Sequence, residues 1–121
     1  MEITIANLYP DLLNLYGDKG NIITLKKRLE ARKITSKIIE YSIDDKIDFS
    51  GADIIYIGGG SDREQLLVCQ RLKEIKNDFK NYVENNGVVT AICGGYQLLG
   101  NYYKLQNETI KGLEILDIYT E

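Results

Sequence analysis

VVTAICGGYQLLG, residues 88–100, decides the fold. Its opening VVTAI is a short, apolar, β-branched run of the kind that forms a parallel strand buried on both faces. Gly95 to Gly100 opens a helix. Between the two stands Cys93, with Ala91 two residues before it and Gly95 two after. Small-x-nucleophile-x-small is the pattern of a nucleophile elbow, where a sharp strand-to-helix turn brings two backbones close together. The turn pushes the central side chain out at the carboxyl edge of the sheet, where open α/β sheets bind ligands.

Moving outward, the chain alternates strand and helix. ADIIYI (52–57) reads as a central parallel strand, closed by Gly58, Gly59 and Gly60. SDRE (61–64) reads as a capping box opening a long helix to about residue 86, with Val68, Leu72, Ile75, Phe79 and Val83 on one face. Asn85, Asn86 and Gly87 stop it. EITIANLY (2–9) is a first strand closed by Pro10. PDLLNLYGDKG (10–20) reads as a loop with one helical turn, Gly17 and Gly20 permitting the turns. Asn21 is placed to cap a helix to about Lys33, with Ile22, Leu25 and Leu29 on one face. Residues 34–41 are a second strand, and the tail after Gly100 reads as strands with turns at Asn107–Glu108 and Lys111–Gly112. This order predicts an open, largely parallel, flavodoxin-like α/β domain spanning residues 1–121.

Composition narrows the function. Formal charge is −3, and basic residues are interspersed with acidic ones, which argues against nucleic-acid binding. No apolar run reaches the roughly 18 residues that span a bilayer, and the N-terminus lacks the form of a signal peptide, so no membrane insertion and a cytoplasmic location are expected. Two cysteines and no histidine cannot build a four-ligand zinc site, and neither metal nor cofactor is expected. Neither GxGxxG nor GxxxxGK[ST] is present, so the glycines carry only a weak suggestion of phosphate binding.

Chemistry gathers around Cys93. N–H groups at a helix start favour thiolate over thiol. The Gly94 N–H can point at a developing oxyanion, and the backbone of the Gly58–Gly60 loop can approach a substrate closely. Together these suit acyl transfer. Position alone leaves other readings open: a free cysteine often serves as a small buried hydrophobe, and three glycines can simply make a tight turn. Cys69, beside the apolar stripe of the long helix, reads as packing.

Three stretches carry a resemblance: LYPDLLNLYGDKGNI (8–22), IGGGSDREQ (57–65) and AICGGYQLLG (91–100). They resemble the class I, triad-type glutamine amidotransferase domain, a three-layer α/β sandwich, in its cobyric-acid-synthase-like branch. Within that branch they look like glutaminase subunits of lipid II isoglutaminyl synthases. The resemblance implies that Cys93 attacks the side-chain amide of L-glutamine. It implies that Gly94 with Gly59 or Gly60 holds the oxyanion, and that Gln97 contacts the substrate. Gln97 could equally be a polar helix residue satisfied by backbone. The implied partner is a Mur-ligase-like synthetase that uses the ammonia to amidate D-glutamate of lipid II.

The family's triad also needs a His and a Glu from a later part of the domain, and this sequence has no His. LEILDIYTE (113–121) reads as an apolar strand running into the last residue, an ending that looks cut. The expectation is therefore an incomplete domain carrying the nucleophile half of the site. On its own it should show little or no activity and should tend to self-associate. Two other readings are a non-catalytic amidotransferase-like module that only binds a partner subunit, and another Cys-elbow hydrolase of the same architecture.

Overall fold

The computed structural model describes residues 1–14 and 18–121. Four parallel strands form the main sheet: β1 (Glu2–Leu8), β2 (Thr35–Tyr41), β3 (Ile54–Ile57) and β4 (Val88–Ala91), in the order β2-β1-β3-β4. The chain leaves β1 for one side to make β2 and then crosses to the other for β3 and β4. The order therefore reverses between β1 and β3.

Helices cover both faces, as the expected three layers require. On one face α1 (Asp18–Ala31) packs Ile22, Leu25 and Leu29 against Ile5 and Tyr56. On the other, α2 (Asp62–Glu74) and α3 (Lys76–Glu84) set Val68, Leu72 and Phe79 into the larger core with Leu8, Ile55 and Ile57. The central strand expectation holds: Ile55, Tyr56 and Ile57 are buried and paired on both sides.

Several details differ from the sequence reading. The long helix is two helices meeting at Ile75, whose φ of −115° and ψ of 21° leave the helical region. The apolar stripe runs through the break in phase, so periodicity could not reveal it. Asn21 is not a cap but lies inside α1, where its Nδ2 donates to the Tyr56 hydroxyl at 2.9 Å. The Asn14 Oδ1 instead accepts from the Lys19 N–H at 3.0 Å. Gly20 is helical rather than a turn residue, and Gly17 lies outside the described residues. The capping box is half formed. Ser61 Oγ accepts from the Glu64 N–H at 3.4 Å, and among the described residues Glu64 makes no return bond.

The tail builds a second sheet rather than extending the first. Strands β5 (Tyr102–Leu105) and β6 (Glu108–Lys111) pair antiparallel around a turn at Gln106–Asn107, one residue earlier than expected. Only β7 (Tyr119–Thr120) of the last nine residues is strand, parallel to β5. The rest wraps under the helix after Cys93: the Leu113 N–H donates to the Leu98 carbonyl, and those of Ile115 and Leu116 to Leu99. Leu113 is buried in the larger core, with Ile115 and Leu116 packed against it, and Tyr119 stacks on Tyr102 of β5.

Candidate active site

The elbow forms as the spacing predicts. Past β4, the Ile92 N–H still reaches the Ile57 carbonyl at 2.9 Å, so the ladder with β3 runs up to the cysteine. Cys93 then takes φ 54° and ψ −115°, in the left-handed half of backbone space that non-glycine residues avoid. Helix α4 (Gly94–Leu98) follows at once. The Gly95 N–H closes the turn onto the Ile92 carbonyl at 3.0 Å, and the Gln97 N–H bonds the Cys93 carbonyl at 3.1 Å. Strain at such a position is held in place by its surroundings and is common at catalytic residues.

Gly95 shows why the motif needs small residues. A Cβ there would sit 2.7 Å from the carbonyl oxygens of both Ile57 and Gly58. Both are backbone atoms and cannot yield. The same contact places the elbow directly on the glycine loop at the end of β3, bringing together the two strand ends read as one site. Gly60, on that loop, lies against the Leu12 carbonyl and the Leu13 side chain. The Gly94 N–H stands in the first turn of α4, where no N–H has an intrahelical partner. Helix α4 has only five residues, too few for a long-helix dipole, so what it offers at the elbow is these local N–H groups.

The two cysteines separate cleanly. Cys93 is exposed; Cys69 is buried in α2. The Cys69 Sγ donates to the Lys111 carbonyl at 3.4 Å, and burial pushes its thiol up despite the opposing charge of Lys73. Its packing role stands. Cys93 is also not enclosed. A cavity of about 530 Å³ lies by Asn7, Lys19 and Ile38, and one of about 500 Å³ by Phe49, Tyr82 and Gly87; neither is lined by Cys93 or α4.

One residue of the site was missed by sequence reasoning. Gln65, in the first turn of α2, is only 5% exposed. Its Nε2 donates to Gln97 Oε1 at 3.3 Å, and its amide fills the space where a Gly94 side chain would go. Gln97 is therefore held by a side chain, not by backbone. The signal in the sequence was the last letter of IGGGSDREQ, a polar residue on the inward side of a helix.

The model of the CobB/CobQ-like glutamine amidotransferase domain matches residues 4–121. The chain belongs to this family. Among family members and relatives, it is 46% identical to subunit GatD of lipid II isoglutaminyl synthase (glutamine-hydrolyzing) from Staphylococcus aureus strain N315, over 99% of this chain and 50% of that protein. It is 42% identical to the GatD subunit of Streptococcus pneumoniae, over 98% of this chain and 46% of that protein. A cobyric acid synthase of Clostridium acetobutylicum is 34% identical over 76% of the chain and 20% of its own length. The chain spans about half the length of the GatD relatives it matches. A candidate peptidase E protein from Listeria monocytogenes shares the fold, with a TM-score of 0.66 at 14% identity, covering 95% of this chain and 63% of that one. Among the described residues no helix is long and apolar enough to cross a membrane.

Proposed function

We propose that the protein containing these residues is the glutaminase subunit of a two-subunit synthetase. It releases ammonia from L-glutamine and passes it to a Mur-ligase-like partner that amidates D-glutamate of lipid II. The single observation that carries the chemistry is the geometry of Cys93: exposed, at φ 54°, and seated on the glycine loop through Gly95. The lipid II assignment rests on similarity to the GatD subunits.

In this reading the Cys93 thiolate attacks the side-chain amide carbon of glutamine. The carbonyl π electrons move to oxygen, which meets the Gly94 N–H and an N–H of the Gly59–Gly60 loop. Collapse expels the amide nitrogen as ammonia once it takes a proton, leaving a thioester on Sγ. Water then attacks the thioester, releasing glutamate and returning the thiol. Both half-reactions need a group that accepts and then returns a proton. The resemblance implies a histidine for that role, and the 121 residues hold none, so in this reading the group is supplied from outside them.

The test is ammonia release from L-glutamine by the full-length protein with its synthetase subunit, beside the 121-residue chain alone. The expected result is turnover by the complex that Cys93→Ala abolishes, and essentially none by the isolated chain. Binding of the synthetase without any glutamine turnover would instead establish a non-catalytic module. Turnover of α-oxoaldehydes but not glutamine would establish a different Cys-elbow hydrolase.

A further inference from the structure

We propose that Gln65 is a positioning residue whose buried amide fixes which end of the Gln97 side chain faces the bound glutamine. The proposal rests on the glutaminase reading of Cys93.

A buried amide is costly unless its polar atoms find partners. Gln65 is 5% exposed and sits where α2, the elbow and α4 meet. Its Nε2 donates to Gln97 Oε1 at 3.3 Å. Its Oε1 faces Gly94: a Cβ on Gly94 would collide with that oxygen first and would lie 2.7 Å from the Gln65 Cδ. Only a glycine leaves room for the amide there. In the observed orientation the amide oxygen sits on Gly94, whose Cα–H is a weak donor, and the nitrogen sits on the Gln97 oxygen; the Tyr103 hydroxyl also lies against this amide.

With the Gln65 oxygen set on Gly94, its nitrogen faces Gln97, and Gln97 answers with its own oxygen. The Gln97 NH2 is thereby turned away from Gln65, one helical turn beyond Cys93 on a partly exposed side chain. That end of Gln97 can only donate. Bound glutamine has three polar groups. Its side-chain amide is engaged by Cys93 and the oxyanion donors, and its α-ammonium can only donate. Its α-carboxylate can only accept, and so it is the group that matches Gln97. Gln65 thus acts on substrate choice without touching substrate.

The experiment compares the wild-type full-length protein and its Q65E variant, each with the synthetase subunit. The substrates are L-glutamine and its α-carboxamide, L-glutaminamide. A carboxylate at position 65 can only accept, so Gln97 must turn round and present its oxygen to the α-carboxylate. The expected result is a KM for L-glutamine raised about tenfold or more, the size of losing a hydrogen bond to a charged group, with kcat little changed. The preference for L-glutamine over L-glutaminamide should fall with it, because a carboxamide can donate to the turned oxygen. A purely structural role would lower kcat and thermal stability without moving that preference. An unchanged preference in folded Q65E overturns the proposal. No glutamine hydrolysis by the wild type overturns the glutaminase reading, and this proposal with it. If Q65E does not fold, side-chain amide NMR of the wild type decides. A slowly exchanging Gln65 NH2 pair with contacts to Gln97 supports the arrangement, and a fast-exchanging, averaged pair overturns it.

Discussion

At φ 54° and ψ −115°, the Cys93 backbone is one that a Cβ makes unfavourable. Such a residue costs about 1–3 kcal/mol, held in place by the ladder to Ile57 and the turn onto Ile92. Glycine would remove the strain but would give back roughly 0.5–1 kcal/mol through its freer unfolded chain. Alanine keeps the strain and removes only the sulfur. Cys93→Gly should therefore be more stable than Cys93→Ala by about 1 kcal/mol, while both lack the nucleophile. Urea unfolding of the two variants side by side measures this. A Gly variant equal to or weaker than the Ala variant would mean that the elbow is not strained.

At the scale of elements, the two thiols test whether the elbow and α2 place their cysteines differently. Cys93 stands at the start of α4, exposed, while Cys69 points into the core with its thiol pushed up by burial. Burial both shields the Cys69 thiol and holds it protonated, so iodoacetamide under native conditions should label the exposed Cys93 at least about tenfold faster. Peptide mapping over time reads the ratio, and equal rates would count against the elbow. The motif that fixes this difference was legible because its reasons are local: the apolar run of β4, small residues on both sides of Cys93, and Gly95 against the Ile57 and Gly58 carbonyls. The parallel order of strands was legible for the same kind of reason. What escaped left no mark in the periodicity or the motifs. The break at Ile75 leaves the apolar stripe unchanged. The start of α1 is marked by Asn14 bonding Lys19 rather than by Asn21. The last nine residues look like a strand because they are apolar, yet most of them wrap beneath Leu98 and Leu99 by backbone bonds, and Leu113, Ile115 and Leu116 pack into or against the larger core. Gln65 escaped because only the fold shows that its amide faces Gly94 and Gln97.

At the scale of the whole molecule, one core gathers groups that must stay neutral. Tyr9, Cys69 and Tyr103 all belong to the larger cluster between the main sheet, α2 and the second sheet. Burial pushes the Tyr9 phenol up to about 12, against the opposing charge of Arg71. It pushes Tyr103 up to about 12 as well, with Cys69 adding to the effect, and it raises Cys69 in turn. Each of these groups ionises more readily in the unfolded chain than in the folded one. A raised folded value means that the stability from the neutral form is fully present below the unfolded value, near pH 10 for a phenol, and is lost as pH climbs toward 12. The stability curve should therefore be flat with respect to these phenols at neutral pH, where their contribution is whole, and should fall above about pH 10, by on the order of 1–2 kcal/mol for each phenol. The Tyr9 hydroxyl has no hydrogen-bond partner among the described residues, so Tyr9→Phe should fold at least as well as the parent. The Tyr9→Phe/Tyr103→Phe pair should then flatten the alkaline limb, leaving the smaller decline that Cys69 contributes. Urea midpoints at intervals from pH 8 to pH 11 for parent and double variant measure the difference. Parallel curves through that range would show that the two phenols ionise as easily folded as unfolded, and that the core around them is open to water.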